Sequence, residues 1–97
     1  MAVRLDLNNP EFQRAWFALE KDDRLAVLNS CVKLAAMDWD SVCRDKGLRW
    51  EMIHSRRGLD GGRLYSIRIT VKVRAVVWRS GDFLEFLTLH ADHDSAY

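Results

Sequence analysis

The stretch Leu64-Tyr65-Ser66-Ile67-Arg68-Ile69-Thr70-Val71-Lys72-Val73-Arg74-Ala75-Val76-Val77-Trp78-Arg79 decides the fold. Tyr65, Ile67, Ile69, Val71, Val73, Ala75 and Val77 hold the odd positions, and Ser66, Arg68, Thr70, Lys72 and Arg74 hold even ones. Period-two alternation is the signature of a half-buried strand. One strand over 64–79 would far exceed the common length of about 5–6 residues. A hairpin closed by Thr70-Val71-Lys72 keeps the two faces intact. It sets Ile69 against Val73 and Ile67 against Ala75 on the core side, and Arg68 against Arg74 on the other. A two-residue loop would oppose Ile69 to Arg74 and mix the faces.

Downstream, Ser80-Gly81 predicts a second turn, pairing Arg79 with Asp82, Val77 with Leu84 and Ala75 with Phe86. The last strand, Phe83 to about Leu89, is apolar on both faces except at Glu85, so it should be central. Upstream, Glu51 to His54 reads as a short strand. The stretch from Arg56 to Gly62 carries Gly58, Gly61 and Gly62 and reads as a flexible loop.

Val3, Leu5 and Leu7 alternate as an opening strand. Asn9 can cap a helix with Pro10 in its first turn, and Phe12, Ala15, Trp16 and Leu19 form its apolar stripe. Phe17 lies off that stripe, where it widens the core or marks an interface. A second helix capped by Asp22 or Asp23 should bury Leu25, Leu28, Val32 and Ala35, widened by Cys31 and Leu34. Residues 38–48 read as a loop. The expected architecture is α+β. An N-terminal strand leads into a two-helix antiparallel hairpin, then an antiparallel three- to four-stranded curled sheet with the helices on one face.

The 97 residues suit a single domain, 1–97, large enough for its own core. No apolar run approaches the roughly 20 residues of a membrane span. No signal peptide is evident, and the two cysteines do not make a disulfide framework, so a reducing cytoplasmic setting is expected. The formal net charge of +1 hides an asymmetry: residues 44–79 hold ten basic and three acidic side chains. That density points to an anionic partner at one face, or to a solvated face of arginines covering apolar neighbours.

Directly opposed cations destabilise a sheet, so Arg68 against Arg74 calls for an explanation. A phosphate gripped by two guanidinium forks is one. Neutralisation of Arg74 by Glu85 from a diagonal position is the other. The closing segment adds His90, His93 and Tyr97, groups able to move protons. His90, Asp92 and His93 have no matching pair at zinc spacing, so no metal or cofactor is expected.

Several segments taken in order resemble the RelE/ParE superfamily of bacterial type II toxins. They are Asn-Asn-Pro-Glu-Phe from Asn8, Gly47-Leu48-Arg49-Trp50-Glu51-Met52-Ile53, Leu64-Tyr65-Ser66-Ile67-Arg68-Ile69, Val73-Arg74-Ala75-Val76-Val77 and His93-Asp94-Ser95-Ala96-Tyr97. Val73 stands where the family usually has Tyr. The resemblance to RelE-like members implies a ribosome-dependent mRNA endonuclease, needing no metal, in which the ribose 2′-hydroxyl attacks the adjacent phosphate. Arg68 and Arg74 match the strand arginines that would stabilise the phosphorane. Glu51 matches a functional carboxylate, and His93 and Tyr97 match the closing acid–base motif. Arg56, Arg57, Arg63 and Lys72 would hold the RNA backbone. The implied partners are an acidic antitoxin, mRNA and the ribosome. ParE-like members instead inhibit DNA gyrase, and a non-catalytic toxin fold that binds a partner is a third possibility.

Overall fold

Val3 is buried and Leu5 and Leu7 pack on the core, which fixes the face of the first strand, β1 (Arg4–Asp6). The computed structural model describes residues 2–57 and 63–91, and for residues 54–57 the backbone alone. After β1 come α1 (Pro10–Ala18), α2 (Lys21–Ala35), the short α3 (Trp39–Val42), β2 (Glu51–Arg57), β3 (Arg63–Arg68), β4 (Val73–Ser80) and β5 (Phe83–Ala91). One five-stranded sheet has the order β1-β5-β4-β3-β2. Strands β2 to β5 form an antiparallel meander, and β1 joins β5 in parallel. The α+β class and the central last strand are therefore as expected. No described helix is long and apolar enough to cross a membrane.

The first helix begins as its sequence predicts. Asn9 Oδ1 accepts from the Glu11 backbone N–H at 2.8 Å, with Pro10 in the first turn. Phe12 is fully buried, and its ring meets Phe86 of β5 at 5.1 Å between centroids. Trp16 Nε1 donates to the Arg24 carbonyl at 3.1 Å and ties the two helices together.

The second helix corrects the expectation. Its N-cap is Glu20, without a side-chain cap bond, and its buried residues are Val27, Cys31 and Leu34. Leu25, Leu28, Val32 and Ala35, expected inside, are exposed. Two apolar stripes run along α2, one at 25-28-32-35 and one at 27-31-34, and both fit a helical period. Periodicity cannot rank them; contact with the sheet and β1 decides. Within 38–48, expected to be a loop, α3 forms and buries Trp39 and Val42.

The β3–β4 hairpin has the predicted register, with Ile67 opposite Ala75 and Arg68 opposite Arg74. Its loop lacks Gly and Asn, and Thr70 supplies the turn: Oγ1 accepts from the backbone N–H groups of Lys72 and Val73 at 3.2 and 3.0 Å. The β4–β5 hairpin has a different register from the one expected. Ser80 pairs with Phe83 and Val77 with Phe86, so the turn is Gly81-Asp82. Gly81 adopts φ 61°, a positive angle that suits glycine at the first turn position. A bulge between Val76 and Val77 shifts the remaining pairs to Ala75 with Leu89 and Arg74 with His90.

The core lies between helices and sheet. Phe12, Val27, Leu34 and Val42 meet Ile67, Val73, Ala75, Val77, Leu84 and Phe86, all fully buried.

Candidate functional site on the outer face of the sheet

Alternation sends Ile67, Val73, Ala75 and Val77 to the helices, so Ser66, Arg68, Arg74 and Val76 share the outer face. Register adds Glu51 opposite Ser66, and Thr88 and His90 opposite Val76 and Arg74. Leu64, Val76 and Thr88 are buried on this face, while Glu51 and His90 are exposed.

The Arg68–Arg74 juxtaposition is close. Ile69 N–H donates to the Val73 carbonyl at 2.9 Å, so that pair is hydrogen-bonded. Arg68 and Arg74 follow as the non-hydrogen-bonded pair, whose Cα atoms approach to about 4.5 Å. The Arg68 N–H instead donates to the Leu48 carbonyl at 2.6 Å. Leu48 is held by its own N–H donating to Asp45 Oδ1 at 3.0 Å, and Arg49 turns the chain into β2 at φ 48°. Trp50 stacks on Tyr65 with centroids 4.5 Å apart. The segment before β2 thus braces β3 at the position of Arg68.

Neither guanidinium is locked to a carboxylate among the described residues. Arg68 Nε is buried with no hydrogen-bond partner. Arg74 Nη1 lies 3.8 Å from Glu51 Oε1, beyond hydrogen-bond length, with both side chains substantially exposed. Glu85, the alternative neutraliser of Arg74, lies opposite Trp78 and accepts from its Nε1 at 2.6 Å.

The other expected site residues are dispersed. Arg63 Nη1 reaches Met52 Sδ at 3.0 Å at the exposed β2–β3 edge. Lys72 belongs to the helix side: its Nζ lies 3.7 Å from Asp23 of α2. Arg79 stacks over the Trp39 ring at 4.0 Å on the core side of β4. The basic segment is therefore not gathered on a single face. The side chains of Arg56 and Arg57, and His93 and Tyr97 altogether, lie outside the described residues. His90, named from the sequence only as one of the closing segment's proton-moving groups, is the one that the register sets opposite Arg74. Its signal was its distance from Arg74, legible only with the correct β4–β5 register.

No protein-family model and no curated protein matches the sequence. Solved structures do. The archaeal RelE–RelB complex from Pyrococcus horikoshii OT3 contains a chain similar at TM-score 0.67 and 18% identity, covering 94% of this chain and 96% of that one. A copper-bound point mutant of a toxin from Helicobacter pylori is similar at TM-score 0.54 and 16% identity, covering 98% and 99%. At such identities the likeness is one of architecture: strand, helical hairpin and curled meander are those of the RelE-like toxin fold.

Proposed function

We propose that this chain is the toxin of a toxin–antitoxin pair and cleaves messenger RNA on the ribosome. The observation that carries the reading is the Arg68–Arg74 pair. Opposed cations cost a sheet about 0.2–1 kcal/mol, and a buried unsatisfied donor about 1–3 kcal/mol. A phosphodiester between the two forks would relieve both, and would gain most as negative charge builds on the phosphorane.

In this reading Glu51 takes the proton from the 2′-hydroxyl, whose oxygen bonds to phosphorus. The bond from phosphorus to the 5′-oxygen breaks, and an acid protonates that oxygen. The products carry a cyclic phosphate and a 5′-hydroxyl. His93 and Tyr97 match the family's acid–base motif, and His90 lies opposite Arg74 on the same face. Arg56, Arg57 and Arg63 would hold the RNA backbone, although Arg63 alternates with Leu64 and therefore lies on the other face, beside Met52. Lys72 is the least suited to that role, given its place beside Asp23.

The proposed antitoxin is acidic and uses an amphipathic helix. Trp16, Phe17, Lys21, Arg24, Leu25 and Leu28 line a groove of about 360 Å³ along α1 and α2. Phe17 is 64% exposed and Val32 63%. Apolar side chains rimmed by Lys21 and Arg24 suit such a helix.

The test is cleavage of a defined messenger on purified ribosomes, with ends mapped by primer extension. Cleavage by the native chain and at least a 100-fold loss in Arg68→Ala and Arg74→Ala support the proposal. Intact messenger together with gyrase-linked double-strand breaks would overturn it, as would undiminished cleavage by Arg74→Ala.

A further inference from the structure

Two further arginines, Arg44 and Arg79, line one depression at the opposite end of β4. Arg79 lies five residues from Arg74, about 16 Å along the strand, and on the other face of the sheet. Its guanidinium stacks on the Trp39 indole at 4.0 Å, and its Nε donates to the Gly81 carbonyl at 2.9 Å. Arg44 is held in the same manner, its Nε donating to the Asp40 carbonyl at 3.0 Å. Both arginines, with Trp39, Asp40 and Cys43, line one depression of about 480 Å³.

The arrangement has the marks of a prepared oxyanion site. In each arginine a main-chain carbonyl takes up Nε and orients the plane, while the paired Nη groups have no described partner. Neither arginine is ion-paired within 4 Å to Asp40, the carboxylate that also lines the depression. The indole fixes Arg79 further, so little side-chain freedom remains to be lost on binding. Two planar forks at one site match the geometry of a phosphate better than that of a single carboxylate.

We infer that the depression formed by Trp39, Asp40, Cys43, Arg44 and Arg79 binds a phosphate group, of a free nucleotide or of an RNA backbone, with the two arginines outweighing the single Asp40 carboxylate. The inference does not rest on the proposed nuclease activity, since it concerns different residues on the other face of the sheet.

Cys43 supplies the readout. Its thiol is exposed and lines the depression, whereas Cys31 is buried and burial pushes its thiol up to about 11. A thiol-alkylating reagent therefore labels Cys43, with Cys31 as the silent internal control. Labelling is timed on the full chain at constant ionic strength with inorganic phosphate, a nucleoside 5′-monophosphate or a short single-stranded oligoribonucleotide. The expected result is saturable protection of Cys43 by at least threefold, abolished in Arg44→Ala and weakened in Arg79→Lys. Protection by the oligoribonucleotide at far lower concentration than by the monophosphate identifies the RNA backbone as source, and equal potency identifies the small phosphate. Unchanged labelling with all three, or protection that persists in a folded Arg44→Ala variant, overturns the inference.

Discussion

The two faces of the sheet come from the same strands, residue alternating with residue, yet they meet opposite demands. The inner face sets Ile67, Val73, Ala75, Val77, Leu84 and Phe86 against Phe12, Val27 and Leu34 with almost no exposed area. The outer face places Arg68 beside Arg74, leaves a buried guanidinium nitrogen without a described partner, and holds Arg74 by one loose ion pair. The phosphate site proposed above between Arg68 and Arg74 would account for these features. The contrast teaches that strand alternation separates what holds the fold from what is available for chemistry.

The largest expected effect lies on the inner face. Phe86→Ala removes the ring that meets Phe12 at 5.1 Å and leaves a cavity among fully buried neighbours. A loss of about 3–5 kcal/mol in denaturant unfolding is expected, with Leu34→Ala losing about 2–5 kcal/mol. A loss below about 1 kcal/mol at Phe86 would mean that the helices do not seal this face.

Next comes the outer face, where function and stability should separate. Arg74→Ala should slow messenger cleavage at least 100-fold, a barrier increase of about 2.7 kcal/mol, with unfolding free energy within about 0.5 kcal/mol of the native chain. Arg68→Ala should act likewise and additionally relieve a buried donor. Were Arg74→Ala to destabilise as strongly as Phe86→Ala, the outer face would be structural and the contrast would fail.

The parts legible in the sequence are those where one local signal has one reading. Asn9-Pro10 opens α1 because cap and first-turn geometry are local. Arg68 falls opposite Arg74 because an odd loop is the only one that keeps both faces uniform. What was missed depended on comparison between distant segments. The stripe at 25-28-32-35 satisfies helical spacing as well as the buried 27-31-34 does, and only packing tells them apart. The Gly81-Asp82 turn and the Val76–Val77 bulge together bring His90 opposite Arg74, and a bulge leaves no residue-type mark here.

A smaller effect should come from the brace behind Arg68. Lys33 Nζ hydrogen-bonds Asp45 Oδ1 at 3.0 Å, and this bond, with the Leu48 N–H, holds the Asp45 carboxyl below its usual range. A carboxylate depressed on folding contributes stability above its unfolded pKa, near 3.9, and loses it as pH falls through the lower folded value. The partners are partly solvated, so less than about 1 kcal/mol is at stake. Asp45→Asn should therefore cost little at pH 7 and flatten the acid limb of the stability curve below about pH 4. An unchanged acid limb would detach Asp45 from the brace.

The smallest effect on folding is expected on α2, where covered and uncovered faces share one helix. Leu28 is 47% exposed in the groove, while Val27 beside it is fully buried. Leu28→Glu should shift unfolding by no more than about 0.5 kcal/mol, because its side chain already meets water. Binding should respond far more. An acidic helix laid along Lys21 and Arg24 would meet a new like charge at the centre of its apolar contact, so affinity for the cognate antitoxin should fall at least tenfold. Isothermal titration against that antitoxin checks the second number and urea unfolding the first. If Leu28→Glu unfolds the chain, the exposed stripe belongs to the core after all. If it folds and binds normally, the helix pair is not the docking face, and the partner must cover the arginines of the sheet instead.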